Sequence, residues 1–128
     1  MKLLLDTQAF IWFDGKRAKL SRAAHRRVAD RANELYLSVA SIWEMSIKIG
    51  LGKLRLGTSL RSVIDDQVAA AGLRLLDVNR WHAEAVQHLP SHHGDPFDRL
   101  LIAQAAREGL AVVSSDERFD AYDVKRIW

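Results

Sequence analysis

The sequence predicts an α/β fold: a parallel β-sheet of about five strands flanked by helices. Three observations carry that prediction. Five short runs are apolar, and most are continuous rather than alternating, which suits strands buried on both faces of a parallel sheet. Segments with helical periodicity lie between those runs. Strands that alternate with helices imply right-handed crossovers and a layered architecture.

The elements follow in chain order. KLLL at Lys2–Leu5 is the first strand. Ser21–Asn33 reads as a helix that sets Ala23, Ala24, Val28, Ala29 and Ala32 against a basic face. LYLSV at Leu35–Val39 is the second strand. A helix over Ser41–Gly50 opens with Ser41 and closes at Gly50. Ser59–Ala71 places Leu60, Val63, Ile64, Val68 and Ala71 on one side. LRLL at Leu73–Leu76 is the third strand, and Arg80–His88 is a short helix ending before Pro90. Pro90–Gly94 reads as the most flexible loop. Pro96–Glu108 takes Asp95 as its N-cap and Pro96 as its first helical residue, and it stops at Gly109. LAVV at Leu110–Val113 is the fourth strand, and a weak VKRI at Val124–Ile127 is the fifth.

Composition narrows the function. The 128 residues fit one domain, 1–128, and 48% of them are hydrophobic, enough for a core without metal or disulfide staples. There is no cysteine, which removes disulfide frameworks, thiolate zinc sites and cysteine nucleophiles and fits a reducing cytoplasm. The apolar run before Asp6 is too short for a signal segment, and no later run is long enough to span a membrane, so no membrane association is expected. The net charge of +3 serves solubility or an anionic partner such as RNA.

The acidic residues carry the chemical argument collectively. Asp6 ends the first strand run, where a turn or N-cap is also a complete explanation. Glu44 stands three residues after Ser41, the spacing of a capping box. Asp95 is a natural cap. Asp98 fits a cap less well, because Glu or Gln is the usual reciprocal partner. Asp116 follows LAVVSS at the end of the fourth strand run. Asp6, Glu44, Asp98 and Asp116 thus each sit where a strand run gives way to a helix, and in a parallel sheet those transitions share one edge. Four carboxylates in one pocket repel one another unless a cation joins them. An all-oxygen donor set favours Mg²⁺ or Mn²⁺ over zinc, and such an ion suits attack of water on a phosphodiester.

Four blocks, LLLDTQAFIW, SVASIWEMSIKIGLGKL, HHGDPFDRLLIAQA and LAVVSSDERF, resemble in their order the PIN-domain ribonucleases, above all the VapC-type toxins of toxin–antitoxin pairs. The resemblance covers nearly the whole chain. It implies a PIN-like α/β/α sandwich and a Mg²⁺- or Mn²⁺-dependent endoribonuclease leaving 5′-phosphate and 3′-hydroxyl ends. By motif it assigns catalytic roles to Asp6, Glu44, Asp98 and Asp116, with Asp6, Asp98 and Asp116 holding metal and Glu44 completing the cage or orienting water. It gives secondary roles to two more residues. Ser114 would bind phosphate or water. Asp95 would cap the helix or reach the metal through water. The resemblance further implies an RNA substrate, a cognate antitoxin protein and a homodimer. Apart from the resemblance, Arg99, which adjoins Asp98, would hold a phosphate or pair with a neighbouring acid, and the lack of cysteine fits a cytoplasmic location.

Other features have plainer readings. His92 and His93 are expected to be an exposed loop doublet. GLGK at Gly50–Lys53 fails the Walker spacing, because Ile47 stands where the first glycine belongs, and reads as a helix end. LLLDTQ suggests a phosphatase with Asp6 as a covalent nucleophile, but Gln8 stands where a second Asp would be needed. A catalytically silent binding module is the remaining alternative, against which the intact acids argue. Arg17, Lys19, Arg22, Arg26, Arg27 and Arg31 form a basic stretch that is either a solvated face or an RNA contact. Trp12, Trp43, Trp81 and Trp128 are core or interface residues by default, with Trp12 and Trp43 alternatively lining a groove for an antitoxin tail.

Overall fold

The computed structural model describes residues 1–128. Five strands form one all-parallel sheet in the order β3-β2-β1-β4-β5. They are β1 (Lys2–Leu5), β2 (Glu34–Ser38), β3 (Arg74–Leu76), β4 (Ala111–Val113) and β5 (Arg126–Ile127). Each matches an expected run, β1 with the same ends and the others with ends moved by one or two residues. Six α-helices connect them: α1 (Thr7–Gly15), α2 (Arg22–Ala29), α3 (Val39–Gly50), α4 (Leu60–Ala71), α5 (Arg80–Ala85) and α6 (Pro96–Glu108). Short 3₁₀ turns follow α1, α5 and β4.

The strand pattern divides the core into two layers. Successive side chains of a strand point to opposite faces. Leu3 and Leu5 therefore join a large cluster with Phe10 and Phe13 of α1, Ala24 and Val28 of α2, and Val63 and Ile64 of α4. Leu4 enters the other cluster with Leu101, Ile102 and Ala105 of α6 and with Phe119 and Tyr122. The sheet is thus covered on both faces, as continuous apolar strands require.

The helices differ from expectation in three places. First, α1 has no counterpart among the helices read from the sequence. TQAFIWFDG is apolar almost all round, so it shows no amphipathic contrast, and its burial in the larger cluster explains why. Second, α2 ends at Ala29, and Asp30 turns the chain toward β2 by accepting the Ala32 N–H. Third, α3 begins at Val39, not Ser41. The Ser38 hydroxyl caps it by accepting the Ala40 N–H at 3.0 Å, whereas the Ser41 hydroxyl is buried without a partner. Ser41 and Glu44 therefore form no capping box. Glu44 lies in the second turn, and its position needs another explanation.

The chain starts in the centre of the sheet, moves through β2 to β3 on one side, then returns to build β4 and β5 on the other. The two directions part between β1 and β4. In open parallel sheets, the crevice beyond the carboxyl ends of strands at such a parting is where ligands gather. No helix is long and apolar enough to cross a membrane.

Candidate functional site

Four acids stand around that crevice. Asp6 follows β1 directly. Its backbone N–H extends the ladder to Val113 of β4, and its Oδ1 caps α1 by accepting the Ala9 N–H at 2.7 Å. Capping and the crevice thus use one carboxylate. Glu44 projects from α3. Its Oε1 accepts the Thr7 hydroxyl at 2.7 Å, and its Oε2 pairs with Lys48 at 2.8 Å. Thr7 was not singled out in the sequence; as the buried first residue of α1, it is what fixes Glu44.

Asp98 occupies the first turn of α6. Asp95 caps that helix as expected: its Oδ1 accepts the N–H groups of Phe97 and Asp98. Asp98 is left free to turn toward the other acids. Asp116 follows β4 and caps the 3₁₀ turn Glu117–Ala121. Its backbone N–H donates to Ser114 Oγ at 3.0 Å, and its carboxylate takes a bidentate fork from Arg118. Ser114 is completely buried, and its hydroxyl bonds to Asp6 as well. Its hydroxyl thus acts on both Asp6 and Asp116.

The electrostatics report the crowding. Burial pushes Asp6 up to about 6; bonds from Ser114 and the Ala9 N–H moderate the rise, and the charges of Glu44 and Asp116 add to it. Burial also pushes Asp98 up to about 7, with further rises from the charges of Asp95, Asp6, Glu44 and Asp116. Asp116 goes the other way, down to about 2, chiefly through its bonds with Arg118. The four acids expected to converge are therefore near enough to repel one another. Two are held at a cost that a bound cation would remove.

Two expectations are corrected here. His93 is not an exposed loop residue. It is 3% exposed, and its Nε2 lies 2.9 Å from Asp98 Oδ2 and 3.0 Å from Asp116 Oδ2. Only His92 of the doublet faces solvent. Nor does Arg99 pair with an acid. Its guanidinium donates to the carbonyls of Val86, Leu89, Pro90 and His93 and to the Tyr122 hydroxyl. The basic stretch is exposed throughout, which suits a solvated face and an RNA contact alike. Arg27 touches the Met1 sulfur and Asn33 bonds the Arg27 carbonyl, which places the end of α2 at the amino edge of the sheet.

The Pro90–Gly94 loop is pinned as well. The buried Tyr122 hydroxyl accepts the N–H groups of His92 and His93 and donates to the Pro90 carbonyl at 2.8 Å. Tyr122→Phe leaves those N–H groups without a partner. It is expected to cost ~1–3 kcal/mol in urea unfolding, with a correspondingly lower midpoint. An unchanged midpoint would show that the hydroxyl does not hold the loop.

The tryptophans pair with different elements. Trp12 packs against Trp128 at 5.7 Å between ring centroids, whereas Trp43, 61% exposed, meets the edge of Phe97 at 5.2 Å. Gly50–Lys53 is a helix end, with Gly52 at φ 71° where only glycine is unstrained. Gln8 is exposed beside Asp6, so no second acid stands where a covalent phosphatase would need one.

Comparison with known proteins agrees with this geometry. A family model described as PIN domain matches residues 3–125. Ribonuclease VapC22 of Mycobacterium tuberculosis is 28% identical over 121 residues, spanning 94% of this chain and 91% of that protein. Among solved structures, VapBC2 from Rickettsia felis, bound to a promoter DNA fragment, aligns with a TM-score of 0.70 at 14% identity. The alignment covers 98% of this chain and 97% of that one. DNA-bound VapBC from Salmonella typhimurium aligns with a TM-score of 0.66 at 17% identity, covering 98% and 96%. These structural likenesses extend over the whole sheet and its helices.

Proposed function

This chain belongs to the PIN-domain family, and from that premise we propose that it is a metal-dependent endoribonuclease acting as the toxin of a toxin–antitoxin pair. One observation carries the reading. Four carboxylates, from the ends of β1 and β4, the second turn of α3 and the first turn of α6, crowd one crevice at the parting of a parallel sheet, and two are pushed far above their ordinary pKa. Similarity to a ribonuclease VapC supports RNA as the substrate.

The donor set fits Mg²⁺ or Mn²⁺: carboxylate oxygens, no thiolate, and raised pKa values that ionisation around a cation would relieve. Asp6, Asp98 and Asp116 would hold the ion. The chemistry supplied there, when such an ion is held, is activation of water and neutralisation of charge on the phosphodiester. Glu44, fixed by Thr7 and Lys48, orients the attacking water and takes its proton. Ser114 keeps Asp6 and Asp116 in register. Asp95 serves as the cap that frees Asp98. Attack at phosphorus with loss of the 3′ oxygen leaves 5′-phosphate and 3′-hydroxyl ends. The fork from Arg118 to Asp116 also puts a guanidinium at the crevice mouth, where a phosphate of the substrate can compete for it.

Likeness to VapBC complexes supports an antitoxin partner. The exposed Trp43 beside Phe97 offers an apolar anchor for a partner segment near the acids. A homodimer and a cytoplasmic location belong to the same proposal.

The test is incubation of purified protein with mixed RNA, with and without Mg²⁺ or Mn²⁺. Cleavage is expected only with the metal, ending on chelation and leaving 5′-phosphate ends. RNA that stays intact at every metal concentration would favour a silent binding module. Expression alone is expected to arrest growth, and co-expression of a small protein encoded beside it to restore growth.

A further inference from the structure

We infer that His93 is a positioning residue of the carboxylate cluster: a hydrogen-bond donor that holds Asp98 and Asp116 together, and not itself a metal ligand. The inference rests on the metal-dependent reading above. Distances alone permit the opposite assignment, since Nε2 of His93 and one oxygen each of Asp98 and Asp116 lie within 4.8 Å of one another. The hydrogen bonds decide between the two. The Asp95 backbone N–H donates to His93 Nδ1 at 3.1 Å, so Nδ1 carries a lone pair and the ring proton sits on Nε2. A protonated Nε2 has no lone pair to give a cation. It does have a proton to share between Asp98 Oδ2 and Asp116 Oδ2.

The residue is held at its backbone as well as at both ring nitrogens. Its backbone N–H is held at 2.8 Å by the Tyr122 hydroxyl, and its edge packs against Phe119 at 5.9 Å between centroids. The residue is buried, while Asp98 and Asp116 come from different elements, α6 and the turn after β4. Without a bridge, those two carboxylates repel. With it, they face the crevice at a set separation. Asp95 also acquires a second task, since its side chain caps α6 while its N–H fixes the tautomer that makes the bridge.

Three measurements test this. In chelator, ¹⁵N-edited NMR of histidine-labelled protein is expected to show His93 protonated on Nε2 only. A proton on Nδ1 overturns the inference and leaves the metal reading standing. Next, Mn²⁺ binding is followed by titration calorimetry in the wild type, His93→Phe and His93→Gln, with circular dichroism confirming the fold. His93→Phe keeps a ring without a donor, and His93→Gln restores an N–H near the Nε2 position. The phenylalanine variant is expected to bind Mn²⁺ about 10–100-fold more weakly, to recover cleavage at saturating Mn²⁺, and to be rescued largely by glutamine. A folded phenylalanine variant with unchanged affinity, or a glutamine variant as weak as it, overturns the bridge. Should the phenylalanine variant fail to fold, the glutamine variant and the wild-type spectra carry the test. Pulsed EPR of wild-type protein with Mn²⁺ is expected to show no coupling from a directly bound imidazole nitrogen; such coupling makes His93 a ligand and overturns the inference. Wild-type protein that binds no Mn²⁺ at all fails the metal reading instead, with the NMR result judging the bridge separately.

Discussion

Asp98→Asn is expected to abolish RNA cleavage and, in chelator at pH 8, to make the protein more stable. The first effect follows from removing a charged oxygen from the proposed metal cage. A loss of about 10³-fold, or roughly 4 kcal/mol of transition-state stabilisation, is expected. The second effect has the opposite sign because the carboxylate is held at a cost. Asp98 is pushed up to about 7 in the folded chain and titrates near 3.8 when unfolded. Between those values the native state keeps a proton that the unfolded state has lost. Stability therefore falls as pH rises from about 4 to about 7, and stays low above. Asparagine carries no charge and escapes that loss. The gain at pH 8 is on the order of 2–4 kcal/mol, fading toward pH 4, where both side chains are neutral. Urea unfolding at the two pH values measures it. A variant no more stable than the wild type at pH 8 would mean that the acids do not strain the metal-free fold.

The companion result concerns metal. Added to chelated wild-type protein at pH 8, millimolar Mn²⁺ is expected to raise Tm strongly, and at pH 5 hardly at all. An ion at a hundred times its Kd contributes about 2.7 kcal/mol. For a chain of this size that is on the order of 10 °C. At pH 5 the ion must displace protons from Asp98 and Asp6, whose raised values of about 7 and about 6 leave both mainly protonated. Asp116, held down at about 2 by Arg118, stays ionised at either pH and contributes no such dependence. Differential scanning fluorimetry across pH reads the effect. An equal shift at both pH values would place metal binding somewhere other than these acids.

Much of this molecule was legible in the residues alone. Continuous apolar strands gave away the parallel sheet, because burial on both faces removes the alternation that a half-wet strand would show. The shared circumstance that groups the four acids, the end of a strand run, holds for Asp6 and Asp116; Glu44 stands a turn into its helix, and Asp98 opens a helix that follows another helix. What stayed hidden was hidden for physical reasons. Helix α1 is too uniformly apolar to show a period. Ser41 imitates a cap because the spacing to Glu44 is right, while Ser38, one turn earlier, does the work. Thr7, His93 and Tyr122 act through contacts spanning 37, 23 and 29 residues, to Glu44, Asp116 and the His93 backbone respectively. No local pattern encodes such distances. A histidine in a loop beside a glycine looks exposed until a tyrosine from another segment is seen to hold it down.

The strand order has a consequence for how the chain comes into being. The first acid lies at position 6 and the last at 116, and β4, which seats the last, inserts beside β1 in the middle of the sheet. A chain still being synthesised has neither that central strand nor the acid beyond it. If the four acids work as proposed above, cleavage must wait until β4 has emerged and docked beside β1.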